Sequence, residues 1–437
     1  MIFITIIAFL FIIAFSVTIH ELGHFLLAKI FHIPVEKFSI GFGPPLIKRK
    51  IGETDFRIAY FPVGGYVKMA GEDEGEMPLL KKNEITDESP PNEESNLGFY
   101  DVPIRRRITV VLSGPVFNLA SAVVVLFFVY ALFGVYVNPY LTIKVDKEGY
   151  GEITGFANGD SLISFNEEKL DSWDEFSALL KKNIGKNAKV TLKRNDRIIE
   201  INLPVQSDSI GIYSKIPPML GSVKIGGPAD RAGMKPKDRI LKINGEDVYD
   251  WEDFVNRVRS SRNIPLSFVW EHEGEIKEAI ITPLPYYDPI LKDTIGQIGV
   301  MIHMTRTYIP LYKAGIMAVK RAGEIIYLTL KTFYQLLAGK ISRKALGGPI
   351  AIAQLSGESA RWGFENLLGL LSIISINLGL VNLFPIPGLD GGHIIIALIE
   401  GIRKKRFTRK TRIIIQQVGY TILLLLIIYV TFNDLTR

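Results

Sequence analysis

The first uncharged apolar run of this chain ends in two histidines and a glutamate. From residue 2 to residue 19 the only polar side chains are three hydroxyl groups, and no residue is charged. Runs of about 18 or more apolar residues are typical of membrane-spanning helices. His20, Glu21 and His24 follow at once. Ionisable side chains at membrane depth cost roughly 2.5–3.5 kcal/mol each on insertion scales, so these residues need a compensating partner.

The spacing of these residues predicts a metal site. On a helix, His20 and His24 lie one turn apart on one face and can share a metal ion, with Glu21 beside them. In a soluble protein this short motif is weak evidence, but its apolar setting favours the metal interpretation. The chain has no cysteine. Any zinc must therefore be held by histidine or carboxylate side chains.

Four stretches of the 437 residues are apolar enough to cross a bilayer, in a chain that is 48% hydrophobic. They are residues 2–19 and about 110–137, 367–386 and 413–432. The first run lacks the basic start and small-residue cleavage site of a secretory signal. We therefore expect a multi-pass α-helical membrane protein with four transmembrane helices, an inserted pair of α+β domains and a small membrane-associated β element.

Basic residues beside these spans predict their orientation. Residues 403–412 contain seven lysines and arginines and no acidic residue, and Arg105, Arg106 and Arg107 stand at the start of the second span. Short basic loops stay cytoplasmic. Both termini and residues of about 138–365 would then lie outside, and residues of about 27–104 inside. The basic clusters adjoin membrane segments and lack interleaved aromatic side chains, so the lipid bilayer is expected as a partner and nucleic acid is not.

Residues 38–69 predict the small β element on the inner side. Apolar and polar residues alternate on both sides of a turn at residues 52–54, and residues 41–43 and 62–65, which include Gly64 and Gly65, are predicted turns or loops near the membrane surface. Residues 72–101 are acidic and rich in Asn, Ser and Pro, which predicts a poorly ordered linker.

The outer region contains an internal repeat. Residues 160–166 are echoed by residues 238–244, and residues 173–176 by residues 251–254, both shifted by 78 positions. This predicts two copies of one α+β module. Residues 228–238 of the second copy resemble the signature of permuted bacterial PDZ domains, which bind extended peptides by strand addition. The first copy lacks the Pro-Ala-x-x-Ala-Gly element, which leaves its peptide groove in doubt. Either copy could instead be a steric spacer.

The expected organisation follows from these features. It comprises a first transmembrane helix at 1–30, the cytoplasmic β element and linker at 31–103, a second transmembrane helix at 104–137, PDZ domains at 138–214 and 215–305, amphipathic helices on the outer membrane surface at 306–365, a broken third transmembrane segment at 366–400, a basic loop at 401–412 and a fourth transmembrane helix at 413–437.

A third metal ligand is predicted just after the third span. Residues 382–393 contain two prolines and three glycines, which cannot continue a helix. Irregular backbone at membrane depth is tolerated only where it is buried or lines a cavity, so this segment suits a metal pocket. We expect Asp390 to be the ligand, with His393 as its rival and a helix-capping role for Asp390 as the alternative. His32 is expected to pack at the membrane interface, and His272 and His303 are expected to be ordinary solvated side chains of the outer region.

Three motifs together resemble the site-2 protease family of intramembrane zinc metalloproteases. They are His20-Glu21-x-x-His24, Ser113-Gly114-Pro115-x-x-Asn118 and Asn382-x-x-Pro385-x-Pro387-x-Leu389-Asp390-Gly391. The resemblance covers essentially the whole chain, and the tandem PDZ modules narrow it to the regulator of sigma-E protease type.

The resemblance implies roles for individual residues. His20, His24 and Asp390 would bind Zn²⁺, and Glu21 would be the catalytic general acid and base. Asn382 would hold the substrate backbone. The remaining substrate-binding candidates are Pro385 and Pro387 of the same motif, and Gly64 and Gly65 of the β element.

The resemblance also implies an endopeptidase of the inner membrane with its active site near the cytoplasmic side. It would cut single-span membrane proteins after a first protease has removed their outer domains, with anti-sigma factors and remnant signal peptides as substrates and the PDZ pair as a size filter. Two alternatives are a non-catalytic membrane receptor that binds peptides and a zinc transporter or sensor. Glu21 beside the metal ligands argues against both, because neither needs a residue that activates water.

Overall fold

The computed structural model describes residues 2–71, 98–288, 293–340 and 347–436, and the chain forms two compact units. The first unit contains Met1–Leu132 and Pro310–Arg437, and the second contains Phe133–Ile309. The second unit is therefore an insertion in the sequence of the first.

The first unit begins with one long helix, a β element and a second long helix. Their bounds are α1 Ile2–Ile30, β1 Val35–Ile51, β2 Thr54–Met69 and α2 Ile104–Phe133. In α1 every fourth residue is buried, which places one narrow face of the helix against its neighbours. The buried stripe consists of Ala8, Ile12, Ser16, His20, His24 and Ala28.

The strands β1 and β2 form a curled antiparallel hairpin with its turn at Gly52 and Glu53, as predicted. The first half of β1 is flanked by β2 on both sides, since Ser39 is opposite both Arg57 and Tyr66. The turns predicted at residues 41–43 and 62–65 are wrong, because both segments lie inside the strands. Gly41 and Gly64 have φ values of 90° and 111°, which bend the paired strands without ending them.

The predicted linker at residues 72–101 lies largely outside the described residues. Its last residues, 98–101, belong to the folded unit, contrary to the prediction. Phe99 and Tyr100 are buried, and the guanidinium of Arg107 lies 5.7 Å and 4.8 Å from their ring centres.

The second unit contains the two copies of the repeat, framed by one pair of strands. In chain order its elements are β3 Val135–Val137, β4 Ile143–Val145, α3 Tyr150–Ile153, β5 Ser161–Phe165, β6 Glu168–Lys169, α4 Trp173–Lys182, β7 Asn187–Arg194, β8 Arg197–Pro204, β9 Ile212–Ser214, β10 Leu220–Val223, α5 Pro228–Arg231, β11 Arg239–Ile243, β12 Glu246–Asp247, α6 Trp251–Ser260, β13 Leu266–His272, β14 Glu275–Ile281, β15 Leu284–Asp288, β16 Asp293–Gln297, β17 Val300–Ile302 and β18 Thr305–Thr307. The strands β3 and β18 pair with each other, so the chain enters and leaves this unit side by side.

The 78-residue offset recurs in the structure of the two copies. Each has a four-stranded sheet, in the orders β6-β5-β7-β8 and β12-β11-β13-β14, and each has its own apolar core. The short helix α3 stands where α5 carries the Pro-Ala-x-x-Ala-Gly element, so the first copy has this element in structure although not in sequence. The hairpin β15–β16 is an insertion in the second copy.

A buried aspartate holds a basic partner at the same place in both copies. Asp160 binds Arg194, with 2.6 Å between Oδ1 and Nε, and Asp238 binds His272, with 2.6 Å between Oδ1 and Nδ1. His303 Nδ1 lies 2.8 Å from the hydroxyl of Tyr140, and partial burial lowers the pKa of this histidine. The expectation that His272 and His303 are ordinary solvated side chains is therefore wrong.

The chain then returns to the first unit, where the described residues form five further helices. They are α7 Leu311–Leu337, α8 Pro349–Trp362, α9 Phe364–Asn382, α10 Asp390–Arg403 and α11 Arg409–Leu435. By length and composition α1, α2, α9 and α11 can each cross a membrane, which agrees with the four predicted spans. The helix α7 is not one of them, and it packs on α2 and α9 through a face that includes the small residues Ala318 and Ala322.

The spans differ from the prediction at their ends. The helix α2 runs from Ile104 to Phe133 and includes all three arginines, within a segment expected at 104–137 whose apolar stretch was expected at about 110–137. Arg107 can be helical there because its charge is paired inside the protein, with 2.7 Å between its Nη1 and Oε2 of Glu400. The helix α9 ends at Asn382, and the irregular segment expected after it extends to Leu389.

Candidate active site

His20 and His24 of α1 face α2, and the two helices approach closely where each carries a glycine. A Cβ atom on Gly23 would lie 2.6 Å from the backbone oxygen of Ser113. A Cβ atom on Gly114 would overlap Nε2 of His24 and lie 2.8 Å from Cε1 of His20. Both imidazoles are buried, with exposed residue fractions of 7% and 8%. The histidine pair therefore occupies space that a side chain at position 114 would fill.

Asp390 completes a group of three ligand atoms. Its Oδ2 lies 3.1 Å from Nε2 of His20, and its Oδ1 lies 3.5 Å from Nε2 of His24. The two Nε2 atoms are 3.2 Å apart. Asp390 is the first residue of α10, and the N-cap position before it is occupied by Leu389. The capping alternative for Asp390 therefore has no support in this geometry.

The geometry fits a divalent metal ion such as zinc. Zinc bonds of about 2.1 Å at tetrahedral angles place neighbouring ligand atoms about 3.4 Å apart, close to the distances seen here. The buried Oδ2 atom of Asp390 has no hydrogen-bond partner among the described residues. Two imidazole nitrogens and a carboxylate converging in this way would be costly without a cation between them. Three ligands leave one position of a zinc ion open, as in catalytic sites.

Neighbouring groups orient both imidazoles. His24 Nδ1 lies 2.9 Å from the backbone oxygen of Val110, which can accept its proton. His20 Nδ1 lies 3.2 Å from the carboxamide of Asn118, whose Oδ1 has no partner among the described residues. The O and N positions of a carboxamide are assigned from its hydrogen bonds, and exchanging them lets Oδ1 accept the Nδ1 proton. Both Nε2 lone pairs are then directed to the metal position.

Glu21 lies beside this group and against the β element. Its carboxylate is close enough to interact electrostatically with His20, His24 and Asp390, and it accepts a hydrogen bond from the backbone N–H of Val67. Gly65 is in contact with the same side chain, since a Cβ atom there would lie 3.4 Å from Cγ of Glu21. A carboxylate placed beside a metal site, but not within its ligand set, can act as a base.

The other candidates lie at different distances from this centre. The amide nitrogen of Asn382 lies 3.3 Å from Nε2 of His20, so Asn382 joins the site directly. Pro385 is exposed, and Pro387 packs under α11, where its backbone oxygen lies against Gly419. Gly64 contacts the ring of Phe42.

His393, the rival ligand, is elsewhere. It lines a small cavity with Arg107 and Arg412. Among the described residues, one group of three or more His, Asp and Glu side chains is arranged so that it could hold a metal ion, and it consists of His20, His24 and Asp390. His32 lies in the turn after α1, outside that group.

Two supporting contacts were not predicted. Gly419 of α11 leaves room for the irregular segment at Pro387, and the buried pair of Arg107 and Glu400 joins α2 to α10. A lone glycine in an apolar run and single charges near a span gave no sequence signal for either contact.

Known proteins are similar in sequence to nearly the whole of this chain. Residues 8–426 match the profile of Peptidase family M50. Zinc metalloprotease RasP of Geobacillus kaustophilus is 31% identical over 444 residues, covering 99% of this chain and 98% of that protein. Regulator of sigma E protease of Haemophilus influenzae is 30% identical over 457 residues, covering 98% of each chain. Regulator of sigma-E protease RseP of Salmonella typhimurium is 29% identical over 464 residues, with the same coverage.

Among solved structures, the PDZ domain of the SdrC-like protein from Listeria monocytogenes is similar to part of the chain. It is 21% identical and covers 19% of this chain and 84% of that domain, with a TM-score of 0.17, which supports no further argument. The profile match and the end-to-end relatives show that this chain belongs to Peptidase family M50, the site-2 protease family of zinc metalloproteases.

Proposed function

We propose that the protein is an intramembrane zinc endopeptidase that cleaves single-span membrane proteins within or near the bilayer. One observation carries the proposal: His20, His24 and Asp390 converge beside Glu21 inside a unit that contains four helices able to cross a membrane. A buried triad of metal ligands with an adjacent carboxylate and an open coordination position is the arrangement of a hydrolytic site.

The residues of the site divide the work of peptide hydrolysis. His20, His24 and Asp390 would hold a zinc ion, which when bound would supply Lewis-acid polarisation of the scissile carbonyl and of a water molecule. Glu21 removes the proton from the attacking water as the new C–O bond forms. It then gives this proton to the amide nitrogen as the C–N bond breaks, so that the amine leaves uncharged. Asn382 offers both a donor and an acceptor to the backbone of the unwound substrate.

The choice between Asp390 and His393 can be tested directly. We expect Asp390→Ala to lose both zinc and activity, because two histidines alone leave the ion with too few protein ligands. His393→Ala should keep both, since His393 lies outside the ligand group. The measurements are zinc per protein by atomic emission spectroscopy and cleavage of a single-span substrate in detergent. Wild-type protein that binds zinc and cleaves no substrate would contradict the proposed activity.

We propose that the extended substrate passes along the β element at Gly64 and Gly65. The support is the contact of Gly65 with Glu21, together with the capacity of extended backbone to pair with an added strand. A substrate helix must unwind before attack, so its backbone groups need such partners.

Gly65→Ala should displace the β element, because the new Cβ would lie 2.8 Å from the backbone oxygen of Ser39. We expect kcat/KM to fall by roughly 10–100-fold with zinc content unchanged, since small displacements at a reacting centre have effects of this size. Gly52→Asn at the hairpin turn is the control, because its φ of 62° suits asparagine. If the two variants had equal activities, the proposal that the β element takes part in substrate binding would be wrong.

We propose the inner membrane as the location, with residues 138–365 and both termini in the periplasm and the active site near the cytoplasmic side. The support is the basic connection at residues 403–412. The chain has no cysteine, so single cysteines at Lys169 and Lys410 can be compared. In intact cells, an impermeant maleimide should label only the cysteine at position 169. Labelling of only the cysteine at position 410 would show the opposite topology.

We propose that both copies of the repeat are PDZ domains that act as a periplasmic size filter, and that anti-sigma factors and remnant signal peptides are substrates. The support is the position of two folded modules between α2 and α7, and the names of the relatives from Haemophilus and Salmonella.

Removal of the two modules should let uncut substrates enter. Because Val137 and Thr305 are ladder partners, residues 141–304 can be replaced by a short Gly-Ser linker. We expect this variant to cleave substrates that still carry folded outer domains, which the intact protein should reject. Cleavage is followed by immunoblotting, with a substrate that has no outer domain as the control. Unchanged discrimination would refute the filter.

A further inference from the structure

A cavity of about 420 Å³ lies where α2 begins and α10 ends, away from the metal ligands. Part of its wall is apolar and includes Ile104, the first residue of the span α2. Lys404, Lys405 and Arg406 also line it. The start of a span marks the boundary between hydrocarbon and headgroups. The cavity therefore lies at headgroup depth in the proposed membrane arrangement.

The charges of this cavity do not cancel. Arg107 is paired with Glu400, and Arg406 lies 3.4 Å from a carboxylate oxygen of Asp101. Lys404 and Lys405 have no carboxylate partner in the described part of the chain. Two lysines are thus left for an anion.

The backbone supports the same interpretation. Lys404 is the C-cap of α10 and has φ 51° and ψ 22°, the left-handed conformation that glycine adopts freely and lysine disfavours. The connection is held in this shape by Glu400, whose Oε1 accepts a hydrogen bond from the backbone N–H of Phe407 at 2.9 Å. The cation at position 404 is therefore presented from a fixed, strained turn and not from a free loop.

We propose that this cavity binds the phosphate of an anionic phospholipid of the inner leaflet. Cationic side chains would contact the phosphate oxygens, and the apolar wall at Ile104 would lie against the glycerol and the first acyl carbons. The proposal rests on the membrane placement of the four spans and is independent of the peptidase mechanism.

The test is native mass spectrometry of the full-length protein in neutral detergent, titrated with dioleoylphosphatidylglycerol or dioleoylphosphatidylcholine. We expect one phosphatidylglycerol bound, about tenfold more tightly than phosphatidylcholine. Lys404→Gly and Lys405→Gln should each weaken phosphatidylglycerol binding about fivefold, with little effect on phosphatidylcholine. Lys404→Gly should also raise the melting temperature, because glycine relieves the left-handed turn. A loss of binding in this variant cannot then be ascribed to unfolding.

Lys410→Gln is the matched control, because it removes the same charge from the same connection outside the cavity. It should change binding by less than about twofold. An effect as large as that of Lys405→Gln, or equal affinity for the two lipids, would overturn the proposal. Displacement of the lipid by millimolar inorganic phosphate would assign the cavity to a soluble anion and would also overturn it. Because no step of the assay measures cleavage, these outcomes leave the proposed peptidase activity untouched.

Discussion

Glu21→Gln is expected to reduce cleavage of a single-span substrate by at least about 10²–10⁴-fold, the usual contribution of a general base. Glutamine has nearly the same shape as glutamate, and its amide oxygen can still accept the hydrogen bond from the Val67 N–H. It cannot take a proton from water. His20, His24 and Asp390 are unchanged, so zinc content should remain that of the wild type. The measurements are initial cleavage rates in detergent and zinc per protein.

The control for this variant is Glu324→Gln, which removes one negative charge from an exposed pair with Arg321 on α7. It should leave both activity and zinc content unchanged, because exposed pairs contribute little. If Glu21→Gln retained wild-type rates, another group would have to move the proton, and the mechanism derived from this geometry would be wrong. If it lost its zinc, Glu21 would belong to the ligand set.

Gly114→Ala is expected to remove zinc and activity together, although residue 114 carries no functional group. Its new Cβ would overlap Nε2 of His24 and press on Cε1 of His20, the two rings proposed to bind the ion. Core overpacking of this kind usually costs about 1–3 kcal/mol, and here the strain falls on metal ligands. We expect zinc affinity to fall at least about tenfold, as measured by competition with a chelating dye.

Gly369→Ala on α9 is the matched control, since a Cβ atom there would meet nothing within 4 Å. Alanine in a helix is favoured over glycine by about 0.5–1 kcal/mol, so this variant should be as stable as the wild type or slightly more stable. If Gly114→Ala behaved like Gly369→Ala, the close packing of α1 on α2 would not be what positions the histidines.

The parts of the site that sequence predicts are those with local spacing or a local break in pattern. His20 and His24 are one helical turn apart, so their shared face follows from helix geometry. Asp390 stands out because prolines and glycines interrupt an apolar run around it. The chain's two repeats were also predictable, because a constant offset is visible without knowing any contact.

The remaining parts depend on approaches between distant segments. The contact of Asn118 with His20, and that of Gly419 with Pro387, joins residues on different helices. The glycines of the β element were interpreted as turns, because positive φ is usual there, yet long-range pairing keeps them inside strands. His272 has no local feature that reveals its buried partner Asp238.

The pairing of β3 with β18 has a consequence for the assembly of the helices α2 and α7. Residues 134–310 separate α2 from α7 in sequence, and a flexible tether of this length opposes their meeting. Once the inserted unit has folded, only the few residues beside the ladder act as a tether. For a tether of about 180 residues reduced to fewer than ten, the entropic cost of closing the loop falls by about 2–3 kcal/mol. Early folding of the insertion would therefore speed the assembly of the host helices on either side of it.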